Sequence, residues 1–357
     1  MASLYFSHPA CLEHDPSADV PGHPDTPERL LVLERALAAE DWLGWERRAA
    51  PPATEAQLEL IHSPRHVQRI KELSIAGGGP IDADTYVGEP SYSAALHAAG
   101  GACEMTRALL AGEAKRAFCG VRPSGHHAEP DRAMGFCLFN NVALAAESAI
   151  HAGEPPNSGG EPSNGEGEPS NGAERVFVLD WDVHHGNGTA AAFRRRSDVL
   201  FASIHQSGIY PGTGELSDMG AGEGEGYTIN LPVPAGSEEE VWLSLLEHIV
   251  VPAAAAFKPQ LILLSAGYDA HREDPLAGCR LEDESFAEMT RHVRDLATQF
   301  DVPLGVVLEG GYEPKALARC VRATLAALDS EEPAHSAAPE PMLTSRAAAY
   351  VGHYWPL

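Results

Sequence analysis

Five short runs of aliphatic and β-branched residues alternate along this chain with stretches of helical periodicity, and each run stops abruptly in polar residues and glycine. The runs are 117–121 before RPSGHH, 175–179 before DWDVHHGNG, 199–204 before HQSG, 261–265 before AGYD and 306–308 before EGGY. Helical patterns occupy 27–39, 91–111, 141–151, 238–256, 281–299 and 314–328, the first opening with Thr26 as N-cap and Pro27 at the first helical position. This alternation predicts an α/β fold around a mainly parallel sheet. In such sheets ligands bind beyond the carboxyl ends of the strands, where every His, Asp and Tyr cluster of this sequence falls.

Hydrophobic residues make up 44% of the 357, enough for one large core, and we read 1–357 as a single domain. Segment 154–174 stands apart. It reads EPPNSGG, EPSNGEG, EPSNGAE, three near copies of a seven-residue unit without core-forming side chains, and is expected to be a disordered insert loop between a helix and a strand. A flexible linker is expected over 330–341, before an aromatic tail at 350–357.

The 25 basic and 51 acidic residues give a formal net charge of −26. That balance argues against direct nucleic-acid binding, which draws on Lys and Arg to displace counterions from phosphates. A cationic ligand such as a lysine-rich segment or a polyamine is favoured. The N-terminus lacks the basic and apolar regions of a signal peptide, and no apolar stretch is read as long enough to span a bilayer. The six cysteines form no CxxC pair and are read as reduced, buried thiols of a cytoplasmic protein.

The strongest local signal is Asp180-Trp-Asp182-Val-His184-His-Gly-Asn-Gly188. Alternate residues of a strand end face the same way, so Asp180, Asp182 and His184 converge as oxygen and nitrogen donors for a divalent metal. Asp269, after the run at 261–265, is the natural third ligand, leaving a coordination position open. Arg122-Pro-Ser-Gly-His126-His127 supplies two adjacent imidazoles that would serve a proton shuttle or simply form a surface loop. Leu308-Glu-Gly-Gly311-Tyr312 places a phenol after a glycine pair. His8, His14 and His23 lie in an N-terminal segment rich in turn residues.

Together these motifs resemble the histone deacetylase family, in its class II and bacterial deacetylase-like branch. The resemblance runs from His23-Pro-Asp-Thr-Pro-Glu-Arg-Leu30 through RPSGHHAEPDRAMGFCLFNN, VLDWDVHHGNGT, SIHQSGIYPGTGE and SAGYDAHREDPLAG to LEGGY. It implies an arginase-like α/β domain with an eight-stranded, mainly parallel sheet. It implies Asp182, His184 and Asp269 as ligands of a catalytic Zn2+, a set that also accommodates Fe2+. By the same resemblance His127 is the general base, His126 its charged partner, Asp180 the carboxylate orienting His126, and Asn187 the residue facing His127. Class I members carry aspartate at that last position. Tyr312 would donate a hydrogen bond to the oxyanion. Structural K+ is implied at Asp180, Asp182, His184, Ser203 and Ile204, the last through its carbonyl. Phe136, next to Gly135, and Tyr210 would wall the acyl channel, Tyr210 departing from the commoner phenylalanine. Asp82 or Asp84, with Asp84 the residue chosen, would grip the substrate at the rim.

The activity implied is hydrolysis of the acetyl amide of acyl-lysine in a protein; the alternative is deacetylation of small amides such as acetylpolyamines. Leu276 favours the first, because polyamine-selective relatives carry a glutamate there. A non-catalytic binder of acetylated partners is disfavoured, since ligands, histidines and tyrosine are all present. Arginase-like ureohydrolysis is disfavoured too, since it uses two bridged metals. No membrane partner is implied, and a homo-oligomer is left open.

Overall fold

The structure, a computed structural model, describes residues 2–152 and 172–357. The repeat insert read at 154–174 thus lies, except for its last three residues, outside the described residues. In chain order the strands are β1 (Leu4–Ser7), β2 (Glu46–Ala49), β3 (Gly78–Pro80), β4 (Tyr86–Gly88), β5 (Arg116–Cys119), β6 (Val176–Asp180), β7 (Val199–Gln206), β8 (Thr228–Val233), β9 (Leu261–Ala266) and β10 (Leu304–Leu308). β3 and β4 form a separate antiparallel ribbon. The other eight make one sheet in the order β2-β1-β5-β10-β9-β6-β7-β8, with every pairing parallel.

Parallel neighbours require crossovers, and helices supply them: α1 (Glu28–Ala39), α2 (Glu55–Leu58), α3 (Pro64–Ile75), α4 (Ser91–Leu110), α5 (Asn141–Ile150), α6 (Asn187–Phe193), α7 (Glu239–Leu245), α8 (Val251–Phe257), α9 (Asp283–Phe300), α10 (Pro314–Asp329) and α11 (Leu343–Val351). α4 and α5 pack together and cover β1, β5, β10, β6 and β9, while α1, α10 and α9 pack side by side. Covered strands read as continuous apolar runs: all of LILLSA in β9 and LGVVL in β10 is buried.

The five strands read from sequence are present with ends shifted by two residues or fewer. β1, β2 and β8 were not legible. β2 is ERRA, a polar and largely exposed edge, and β8 is an edge strand interrupted by Pro232. α3 was also missed, although Ser63 caps it by accepting a hydrogen bond from His66 N–H. Two expectations need correction. Thr26 does not cap α1: Pro27 holds the cap position without a side-chain bond, and Thr26 contributes only its carbonyl, to Arg29 N–H. The run Glu239–Phe257, broken by a π-type turn at Leu246–Val250, is long and apolar enough by length and composition to cross a bilayer. Yet 56% of that window is buried in this protein, and it contacts α9 and α11 as a core helix would.

Segment 330–341 has no helix or strand, but it is tied down. Arg294 donates to Ser330 O at 2.7 Å, Ala334 N–H to Asp295 Oδ2 at 2.9 Å, and Ser336 Oγ to Glu247 at 2.8 Å. In the tail, the Trp355 ring packs edge-on against Tyr227 and Phe257, and its Nε1–H donates to Gly226 O at 2.7 Å.

Candidate active site

The four strands β5, β10, β9 and β6 are consecutive in the sheet, and their carboxyl ends deliver the sequence motifs to one place. From β6 come Asp180, the last strand residue, then Asp182 and His184; from β9 comes Asp269; from β10 come Glu309 to Tyr312; from β5 come His126 and His127. All eight principal groups, Asp180, Asp182, His184, Asp269, His126, His127, Asn187 and Glu309, are buried.

Asp182, His184 and Asp269 offer donor atoms that all lie within 4.8 Å of one another. His184 Nδ1 is 3.1 Å from both Asp182 Oδ1 and Asp269 Oδ2. The outer lone pairs of both carboxylates are already taken by backbone donors: Gly310 N–H to Asp182 Oδ2 at 2.8 Å, and Val183 N–H to Asp269 Oδ1 at 2.9 Å. Burial disfavours charge on His184, but these carboxylates outweigh it and raise its pKa to about 10. With protein groups alone, a proton on His184 is the cation the site demands. Two carboxylates and an imidazole suit Zn2+ or Fe2+. The backbone is also shaped around the pair: a Cβ on Gly267 would sit 2.0 Å from Asp182 Oδ2, and one on Gly310 would sit 2.3 Å from Asp269 Oδ2. The residues present therefore fit the metal the family motifs imply.

The adjacent histidines are unequal. His126 Nδ1 is 2.9 Å from Asp180 Oδ2. Burial opposes its charge, yet Asp180 and then Asp182 raise its pKa to about 10. Burial raises the Asp180 carboxyl to about 6, the His126 cation and their shared hydrogen bond opposing that shift. His127 is instead held well below the ordinary imidazole range by burial, then by the cations on His126 and His184. Its Nδ1 lies 2.8 Å from Asn187 Oδ1. An amide oxygen can only accept, so Nδ1 carries the proton and Nε2 the basic lone pair.

Tyr312 closes the group. Burial keeps its phenol far above the usual range, hence protonated and able to donate. Its backbone N–H donates to Asp274 Oδ2 at 2.6 Å. Phe136 meets the Tyr312 ring edge-on at 5.6 Å, and Tyr210 meets His127 at 5.1 Å, so both proposed wall aromatics border the chemistry. Gly135 lets them approach His127: with φ of +57° it takes a left-handed turn, and a Cβ there would strike the His127 ring at 2.4 Å and the Tyr210 ring at 2.9 Å. Asp84 is half-buried; its carboxylate accepts from Thr85 Oγ1, which in turn accepts from Phe136 N–H. Leu276 is exposed, two residues beyond Asp274. Of the residues read for K+, β6–β7 register places Ser203 opposite Asp180, with Ile204 next in the strand.

Several residues that build this site carried no assigned role in the sequence. Asp25 accepts from Arg29 at 2.8 Å and from Arg122 at 2.7 Å. Arg29 donates to Gly311 O at 2.6 Å and lies 4.6 Å over the Tyr312 ring. Glu309 accepts from Gly125 and His126 N–H at 2.6 and 3.1 Å, fixing the β5 turn. The Asp25–Arg29 spacing of four within HPDTPERL was the available signal. The N-terminal histidines do not converge: His8 stacks on His97, His14 bonds Ser91, and His23 bonds Asp84 O. A second grouping, His271, Asp283 and Cys320, has Arg319 at 2.8 Å on Asp283 and a Cys320 thiol that burial keeps protonated. It reads as a tie between α9 and α10. All six cysteines are free and buried.

Four strand ends thus bring acidic and imidazole donors to one buried site with a candidate Asp-His-Asp metal centre, the equipment of a hydrolase, and comparison with known proteins gives its family. The histone deacetylase domain family matches residues 23–328. The chain is 40% identical over 302 residues to the histone deacetylase-like amidohydrolase of Pseudomonas aeruginosa, covering 84% of this chain and 75% of that one. It is 38% identical to a probable deacetylase of Archaeoglobus fulgidus, covering 85% and 80% of the two chains. The crystal structure of the HDA15 HD domain superposes with a TM-score of 0.89 at 31% identity, over 99% of this chain and 95% of that one. The chain belongs to the histone deacetylase family and is a hydrolase acting on amides.

Proposed function

We propose that this protein is a metal-dependent deacetylase that hydrolyses the acetyl amide of acyl-lysine side chains. The observation that carries this reading is the unequal histidine pair, two rings 4.0 Å apart, one cationic and one neutral with its Nε2 lone pair free to act. When bound by Asp182, His184 and Asp269, Zn2+ or Fe2+ supplies Lewis acidity to the acyl carbonyl and to water. His127 Nε2 takes the proton of the attacking water and returns it to the departing amine as the C–N bond breaks, giving acetate and free lysine. The fixed cation on His126 offsets the negative charge that develops beside it. Tyr312 donates its phenolic proton in a hydrogen bond to the oxyanion. Phe136 and Tyr210 clasp the acyl-lysine stem, Gly135 giving them access to His127, and Asp84 holds the substrate backbone at the rim. Leu276 offers no anion to a remote ammonium, which favours acyl-lysine over acetylpolyamines. K+ held by Asp180, Asp182, His184, Ser203 and the Ile204 carbonyl would stiffen the ligand strand.

Chelation followed by titration with Zn2+ tests the reading, with an acetyl-lysine peptide and acetylspermidine as paired substrates. Hydrolysis should vanish, return in full at one ion per chain, and favour the peptide. Recovery requiring two ions at this site, or faster turnover of acetylspermidine, would overturn the mechanism or the substrate assignment respectively.

A further inference from the structure

Asn187 can direct His127 only if its amide points the right way, and an amide has no intrinsic preference. Its oxygen and nitrogen are nearly the same size, so surrounding donors and acceptors decide the orientation. Asn187 Nδ2 has three neighbours: Glu129 Oε1 at 2.9 Å, His127 O at 3.4 Å and Met134 Sδ at 3.4 Å. All three can only accept, but only the first is short and only the first is charged, which makes it the strongest of them. Glu129 is itself fixed by its backbone, which exchanges hydrogen bonds with Arg132 and accepts from His62 Nδ1 at 3.1 Å.

We infer that Glu129 is a positioning residue for the general base: its carboxylate locks the Asn187 amide, and the amide oxygen in turn locks His127 in the Nδ1–H form. Were the amide reversed, its oxygen would face the Glu129 carboxylate and its NH2 would face His127 Nδ1. Nδ1 would then have to be the acceptor and Nε2 would carry the proton, so the ring could no longer take one from water. The chain of acceptor, donor, acceptor, donor has a single consistent assignment, and Glu129 is the shortest and only charged acceptor that fixes it. An aspartate at position 187 would need no such lock, because both its oxygens accept. The asparagine therefore creates the requirement that Glu129 meets. This inference rests on His127 acting as the base through Nε2.

The test is a cycle of Glu129→Ala and Asn187→Asp, with Glu129→Gln as the conservative variant. Two readouts are used: steady-state hydrolysis of an acetyl-lysine peptide by the Zn2+-loaded enzyme, and imidazole 1H–15N spectra of the metal-free protein reporting the His127 tautomer. A charge-assisted hydrogen bond is worth about 1.5–3 kcal/mol, so Glu129→Ala should lower kcat about 10- to 100-fold with KM nearly unchanged. His127 should then show a mixture of tautomers. Glu129→Gln keeps the shape but can donate as well as accept, so it should recover the rate only in part and leave His127 in a mixture of tautomers. In the Asn187→Asp background, Glu129→Ala should cost less than about 3-fold, because the lock has nothing left to do. A wild-type tautomer in Glu129→Ala, or an equal loss in both backgrounds, would overturn the inference. An inactive wild-type enzyme whose tautomer nonetheless depends on Glu129 would instead overturn the deacetylase reading alone.

Discussion

Single residues here are set by what is buried beside them. Tyr312 is a phenol kept neutral by burial, with its backbone anchored to Asp274 and its ring under Arg29. Tyr312→Phe leaves those anchors in place and removes only the hydroxyl. Steady-state kinetics should show kcat falling about 10²–10³-fold, the usual cost of one oxyanion donor, with the melting temperature unchanged. His62 illustrates a residue of stability rather than catalysis. Its Nδ1 donates to Glu129 O, and its Nε2 accepts from Asn140 N–H at 2.8 Å. Protonation would break the second bond at the start of α5, and burial lowers the pKa to about 3. The unfolded chain therefore binds the proton first, near pH 6.5. Stability from His62 is complete above that pH and is lost as pH falls toward 3, with a slope of at most about 1.4 kcal/mol per pH unit. Urea unfolding from pH 7 down to 4 should show this acid limb, to which His185 and His205 also contribute, and His62→Gln should reduce its slope by up to about 1.4 kcal/mol per pH unit.

At the scale of elements, the site depends on where strands end and on glycines that let two ends approach. Asp182 and Asp269 belong to β6 and β9, yet the backbone of Gly310, after β10, closes over both. Gly310→Ala should leave the sheet intact, because β10 ends two residues earlier at Leu308. Its new Cβ would have to displace carboxylate oxygens 2.3 and 2.5 Å away. Competition against a chelator should show Zn2+ affinity reduced by about 10- to 100-fold, the range typical when groups orienting metal ligands are disturbed. Unchanged affinity would mean that the ligand carboxylates do not need this close backbone.

At the scale of the whole molecule, the question is what can be removed. The chain leaves α5 at Ile150 and returns for β6 at Val176, and the flanking ends already touch. Ala173 N–H donates to Ala149 O at 2.9 Å, and a Cβ on Gly172 would lie 2.8 Å from Ala152 O. Excising 154–171 joins ends that are already neighbours, and loop-closure entropy changes only slowly with length, about 0.6 kcal/mol per doubling. The shortened protein should melt within about 3 °C of the original and hydrolyse an acetyl-lysine peptide at a rate within a factor of about two. A large loss of activity with unchanged melting would show that the repeats act on substrate.

The sequence alone determined the alternation of buried strands and helices, since a strand covered on both faces must be apolar throughout and must end where polar residues begin. It also marked candidate metal donors after the strand runs, but alternation along Asp-x-Asp-x-His did not choose among them: β6 ends at Asp180, whose carboxylate turns to His126, and Asp269 joins Asp182 and His184 from β9. β2 and β8 escaped that reading because an edge strand needs neither an apolar run nor a full set of N–H donors; the sheet beside it decides that it is a strand. The same holds within the site. Glu129 and Glu309 lie far apart in sequence from the groups they hold, and nothing local marks them; Asp25 and Arg29 mark each other by spacing, but not the Arg122 and Gly311 groups they reach. Which histidine of the pair is charged, and which nitrogen of His127 is free, was decided only when folding buried both rings and set Asp180 against one and Asn187 against the other. Burial gives a neighbouring charge or acceptor its strength, and only tertiary structure chooses the neighbours.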